Sequence, residues 1–183
     1  LACFSEDGID RVTVEQLCTR AGCSVGSLYH HFGSKEGVAG ALFLDCIGDL
    51  NAGLIARLEA CGDAEAGVRA VVEQYAEWVE AHPERARFLI HYRDIQFTDD
   101  DRRTLKHVQN EHFGAVFRWF APFVLAGTMK ALPPATYIPI ISGPIEDYTR
   151  TWLSGRTDRP PAEVKEVFAE AAWAAVEARP APA

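Results

Sequence analysis

Residues 13–35 read TVEQLCTRAGCSVGSLYHHFGSK, and the reading of this stretch decides the fold. In its first half Val14, Leu17, Cys18 and Ala21 fall at i, i+3, i+4 and i+7, which puts them on one face of a helix. Val25, Leu28, Tyr29 and Phe32 repeat that spacing and predict a second amphipathic helix. Thr13 followed three residues later by Gln16 is a capping box, with Val12 and Leu17 placed to staple across it, so the first helix begins here. Gly22 ends that helix, because helices commonly finish in a left-handed residue that glycine adopts without steric cost. Ser24 then caps the second helix. Two short helices joined by a tight turn make a helix-turn-helix.

Once the apolar face of the second helix is set aside, Ser24, Gly26, Ser27, His30 and His31 remain, all small or polar. Such a face can enter a major groove and read base edges. The pattern T-V-x-x-L-x-x-x-A-G-x-S-x-G-S-L-Y-x-H-F-x-S-K-E resembles the DNA-binding signature of TetR-type transcriptional regulators. The resemblance implies an all-α chain: a three-helix DNA-binding domain over residues 1–45, then a long helix leading into a helical effector-binding and dimerisation domain over 46–183, about nine helices in total. It implies that Thr13, Tyr29 and Lys35 hold phosphates, while Val25, Gly26, Ser27 and His30 approach base edges, with Ser24 and His31 on the same DNA-facing surface.

The residue chemistry agrees for several of these. Thr13 and Lys35 stand at helix N-termini, where free backbone N–H groups favour anions. Gly26 removes a side chain where a backbone must come close. Tyr29 can pack its ring while its hydroxyl reaches outward. One alternative is a solvated surface on a structural αα-corner; another is an effector-sensing or scaffold protein whose helix-turn-helix contacts another protein. The charge favours the latter: residues 1–40 carry Arg11, Arg20 and Lys35 against Glu6, Asp7, Asp10, Glu15 and Glu36, which is 3 minus 5, or −2. A DNA-binding domain is normally basic. Affinity, however, follows the cations at the phosphates rather than the domain total. The chain opens on Leu1 rather than methionine, and an N-terminal piece carrying further basic residues is expected ahead of it.

Across all 183 residues, 48% are apolar and 24% charged, with a formal net charge of −8, the composition of an ordinary globular chain. No apolar run of the ~18 residues of a membrane span is read from the sequence, and no membrane association is expected. Five cysteines without framework spacing fit a reducing, cytoplasmic setting in which thiols serve as small apolar side chains.

Downstream, Ser34 caps a long helix in which Leu42, Cys46, Leu50, Leu54 and Leu58 recur every four residues. From 35 to 60 it would span roughly 39 Å at about 1.5 Å per residue. Gly48 and Gly53 are its soft points. Asp63 follows the end of that helix, and Val68, Val71, Val72, Tyr75, Trp78 and Val79 form the stripe of the next. Pro83 opens a helix lined by Phe88, Leu89, Tyr92 and Ile95. A seventh helix follows the acidic cluster at 98–101, with Pro122 bending its last turn. Residues 127–134 read as a loop and 134–154 as a helix interrupted by Pro139, Gly143 and Pro144. Pro160 and Pro161 start the last helix.

An apolar cavity with a few convergent polar groups is the usual small-molecule site. The candidate lining for an apolar effector is Leu54, Tyr75, Trp78, Phe88, His91, Tyr92, Gln109, His112, Phe113, Val116 and Trp152. The last two helices are apolar on more sides than one core needs. Ile141, Ile145, Tyr148, Trp152, Val164, Val167, Phe168, Ala171 and Ala175 are therefore the expected homodimer interface, a four-helix bundle between two copies.

Other chemistries find less support. Gly22, Ser24 and Gly26 match G-x-S-x-G, but a nucleophile elbow needs a strand before it, and what precedes Gly22 has helical period. Cys18, Cys23, His30 and His31 are zinc-ligand types, yet Cys18 lies on the apolar face and the histidines on the polar one. No convergent acid, base and nucleophile set is read, and no cofactor or metal is expected. The resemblance to TetR-type regulators then implies a non-enzymatic, ligand-responsive regulator, a repressor that leaves a palindromic double-stranded DNA operator when a small effector binds.

Overall fold

The computed structural model describes residues 1–91 and 99–178. Among these the chain forms nine α-helices: α1 Ala2–Asp7, α2 Val14–Ala21, α3 Val25–Phe32, α4 Lys35–Glu59, α5 Ala64–Ala81, α6 Pro83–His91, α7 Asp99–Leu125, α8 Tyr137–Leu153 and α9 Pro161–Val176. Tyr92, Ile95 and the tail from Arg179 lie outside the described residues, as does the side chain of His91. The all-α expectation holds.

The caps explain where the helices begin. Asp63 accepts a hydrogen bond from the Ala66 N–H at 2.8 Å and fixes the start of α5. Ser34 accepts from the Gly37 N–H at 3.0 Å at the head of α4. Pro161 opens α9, where its missing N–H is not needed. The expected interruption of residues 134–154 is corrected: only Pro134–Thr136 is a separate 3-10 turn, and α8 then runs unbroken to Leu153. Pro139 falls in the first turn, where N–H groups lack helical partners anyway, and Pro144 costs one backbone bond that the helix tolerates.

The chain divides into two compact units, Leu1–Asp49 with Pro83–Gln109, and Leu50–His82 with Asn110–Ala183. The sequence boundary at 45 did not foresee that Pro83–Gln109 belongs with the first unit. There Phe4 of α1 stacks on Phe88 of α6 with ring centroids 6.2 Å apart, and both are almost wholly buried. Arg85 ties α6 to α4 through Asp45 at 3.0 Å and Asp49 at 3.3 Å. Val12, Leu17, Cys18, Leu28, Phe43 and Cys46 complete the interior of this unit.

In the second unit α5, α8 and α9 pack on one another around Val68, Val72, Phe120, Ile141, Ile145 and Val176. Gly67 is the point of closest approach, because a Cβ there would collide with the Trp119 indole. The segment read as a plain loop is tied down instead. Met129 pairs with Glu177, the Lys130 N–H donates to Val176 O at 2.8 Å, and the Ala178 N–H donates to Thr128 O at 3.0 Å. The Tyr137 hydroxyl donates to Lys130 O at 2.6 Å.

Among the described residues one helix, α4, is long and apolar enough to cross a membrane by length and composition, contrary to the sequence reading of no such run. Here its Phe43, Cys46, Leu54 and Leu58 are buried within the protein.

Candidate nucleic-acid interface

The helix-turn-helix is built as its sequence dictates. The Gln16 N–H donates to Thr13 Oγ1 at 3.2 Å and the Thr13 N–H to Gln16 Oε1 at 2.8 Å, closing the capping box. Gly22 takes the left-handed conformation at φ 65°, ψ 32°. The Cys23 N–H reaches back to Cys18 O at 3.0 Å, the bond that closes a Schellman turn. The Ser27 N–H donates to Ser24 Oγ at 3.1 Å, so Ser24 caps α3. Gly33 ends α3 at positive φ, and Gly37 lies so close to the end of α3 that a Cβ would strike the Phe32 carbonyl. Neither role was read from the sequence, since a glycine needed for close approach looks like any other helical glycine.

The apolar stripe of α3 is corrected by the structure. Only Leu28 is buried; Val25, Tyr29 and Phe32 are 41, 51 and 44% exposed. The reason is geometric: a two-turn helix lying on one side of a small core can bury little more than a single large residue. Ser24, Gly26, His30 and His31 are exposed as well, and Ser27 is half-buried. Almost the whole outer surface of α3 is therefore open, with His30 and His31 edge to face at 5.1 Å. Thr13 is exposed at the head of α2, and Lys35 is half-buried as the first residue of α4. Val25 and Phe32 leave apolar surface open on this helix.

The candidate ligand residues do not all share one place. Phe88 is 0% exposed and stacks on Phe4, so it is core of the first unit, and Gln109 belongs to that unit too. In the second unit Leu54 and Val116 are buried in the main core with Tyr75 packed against it, and Trp78 is buried with its ring 5.4 Å from His82. Phe113 stacks on Phe117 at 6.2 Å. His112 is the unusual member: its buried Nδ1 has no hydrogen-bond partner among the described residues, and burial pushes its pKa down. Native interiors rarely leave such an atom unpaired. Trp152 is half-buried.

The candidate dimer residues also divide. Ile141 and Ile145, at 1 and 0% exposure, face their own core and are corrected from interface to interior. Tyr148 and Phe168 tilt against each other at 5.3 Å and are half-buried. Val167 is 67% exposed, Ala171 and Ala175 are exposed, and Val164 is half-buried, so α9 keeps an open apolar strip.

An all-α chain opening on a capped helix-turn-helix with an uncovered second helix has the architecture of a helix-turn-helix transcriptional regulator. Comparison with known proteins narrows the class. Residues 1–42 match the sequence profile of bacterial regulatory proteins of the tetR family. No curated protein matches the chain in sequence. Its fold is similar to that of a TetR family transcription regulator from Marinobacter aquaeolei VT8, with TM-score 0.78 and 18% identity over 96% of this chain and 90% of that one. It is similar to a regulatory protein in the tetR family from Rhodococcus RHA1, with TM-score 0.78 and 17% identity over 98 and 93%. A third is the transcriptional regulator FadR from Bacillus subtilis in complex with stearoyl-CoA, with TM-score 0.78 and 15% identity over 93 and 92%. Residues 1–42 thus carry the tetR-family N-terminal domain, and the chain has the fold of TetR-type regulators.

Proposed function

We propose that this protein is a one-component transcriptional regulator that binds a palindromic double-stranded DNA operator as a homodimer and is released by a small apolar effector. The observation that carries this reading is the open face of α3 beside the single buried anchor Leu28, held by caps at both ends. In this reading Thr13, Tyr29 and Lys35 meet phosphates, and Val25, Gly26, Ser27 and His30 meet base edges. Ser24 acts first as the cap of α3, and His31 supports His30. A two-fold dimer places the two α3 helices in successive major grooves, so half-site spacing reports dimer geometry.

The effector is assigned to the second unit, where the buried Nδ1 of His112, unpaired among the described residues, offers a polar contact. FadR of Bacillus subtilis was solved with stearoyl-CoA, which makes long-chain acyl-CoA a reasonable first compound to test. Release follows if the effector prefers one spacing of the two DNA-binding units, so that its binding shifts the population away from the DNA-competent state. Linkage requires reciprocity: operator DNA then weakens effector affinity by the same factor.

The test is binding of the purified protein to DNA from its own promoter region as a function of salt. A sequence-selective complex that weakens steeply with salt is expected. Weak, unselective binding at every salt concentration would overturn the reading. A second reading has its own support: residues 1–40 sum to −2, and three large apolar side chains of α3 are exposed, which suits contact with another protein. Unselective DNA binding together with a saturable protein partner for α3 would favour it.

A further inference from the structure

The turn of the helix-turn-helix holds two cysteines joined through one backbone hydrogen bond. In a Schellman turn the side chain of the residue after the left-handed glycine frequently packs near the residue whose carbonyl it bonds. Here those residues are Cys23 and Cys18, joined through the 3.0 Å bond from the Cys23 N–H to Cys18 O. Both are free thiols; Cys18 is 6% exposed, while Cys23 is open to solvent. Burial and then the neighbouring Cys23 thiol push the Cys18 pKa up. Beside them lies an apolar cavity of about 470 Å3, lined in part by Cys3, Leu17, Cys23, Leu28, Phe32 and Leu42. Arg20, which also lines it, places its guanidinium 3.8 Å from Cys3 Sγ.

We propose that Cys18 and Cys23 form a dithiol site that a peroxide oxidises to a disulfide, and that closing this bond weakens operator binding. Cys23 is the entry point because it is exposed and lines the cavity. Its sulfur attacks one peroxide oxygen, the O–O bond breaks, an S–O bond forms, and the departing oxygen leaves as water with the thiol proton. The Cys18 sulfur then attacks the Cys23 sulfur; the S–S bond forms, the S–O bond breaks, and the second oxygen leaves as water with the Cys18 proton. Two thiols lose two electrons and the peroxide gains them. A disulfide brings its sulfurs to about 2.05 Å, well inside any contact between free thiols. Cys23 is therefore drawn toward α2, and with it the neighbouring Ser24 cap that sets the first turn of α3. The consequence for DNA rests on the operator-binding reading, whereas the thiol chemistry does not.

The experiment treats the full chain with hydrogen peroxide, maps its peptides by mass spectrometry, and measures operator binding before and after, with dithiothreitol reversal. Expected is a peptide crosslinked through Cys18 and Cys23 and lighter by two hydrogens, no crosslink in Cys23→Ser, and an affinity lowered at least about tenfold, the scale of one lost base contact. Reduction should restore it. Cys18→Ala provides a second variant, in which Cys23 should stop at the sulfenic acid. A crosslink to Cys3, or stable over-oxidation of Cys23 with Cys18 untouched, would overturn the site. A Cys18 to Cys23 crosslink with unchanged operator affinity would overturn the switch. Reduced protein that never binds its promoter DNA would instead refute the operator reading, while the peptide map still decides the dithiol chemistry.

Discussion

Single residues decide where helices can touch, and the glycines show it. Gly48 and Gly53 both read as soft points of α4, yet their surroundings differ. A Cβ at Gly48 would meet open space, whereas one at Gly53 would press on the Gln74 amide. Gly48→Ala should therefore raise stability by up to ~1 kcal/mol, the helix-propensity difference, as read in urea unfolding. Gly67→Ala should lower it by roughly 1–3 kcal/mol, because the Trp119 ring must move. At the surface, Lys35→Ala should weaken operator binding across sequences and reduce the salt slope by about one contact, while Ser27 or His30 changes alter sequence preference. An unchanged slope would remove Lys35 from the phosphate contacts.

At the scale of elements, the caps of α2 and α3 follow from local sequence, and each formed where the residues placed it. Ties between elements follow other rules. Arg57 of α4, Glu77 of α5 and Lys165 of α9 form a network in which the Arg57 guanidinium lies 2.6 Å from Glu77. Hydrogen bonds from Arg57 and then Lys165 hold the Glu77 pKa down at about 2, against an ordinary 4.5. A carboxylate whose pKa is lower in the folded state binds its proton more readily when unfolded. Its stabilisation is thus complete above about pH 4.5 and fades as pH falls toward 2. Glu77→Gln should flatten the acid limb of the stability curve in that window. Because the Glu77 side chain is 39% exposed, salt should also weaken the effect. Nothing in the spacing of residues 57, 77 and 165 announces this network, since it exists only after three helices are packed.

For the whole molecule, the open strip of α9 is the feature a single chain leaves unused. Val167→Asp should leave the helical circular dichroism intact and convert the proposed homodimer to monomer in sedimentation. Operator affinity should fall with it, because two half-sites then bind independently. A dimer that persists would move the interface elsewhere. The sequence named nine interface residues on the last two helices, and the fold turned Ile141 and Ile145 inward. On a helix apolar around much of its circumference, periodicity alone cannot tell the core side from the partner side.

What the sequence determined by itself is local: the caps of α2, α3, α4 and α5, the left-handed stop at Gly22, and the helix-turn-helix over residues 13–35. These depend on contacts within about four residues, where capping and periodicity act. Tertiary structure alone decided that α6 joins the first unit through Phe4 and Phe88, which residues of α3 stay exposed, and why Gly37 and Gly67 cannot carry a side chain. It likewise set the pairing of Met129 with Glu177. Each depends on which surfaces meet across the turn or across the chain, and a helical pattern records only that a face is apolar, not what will cover it.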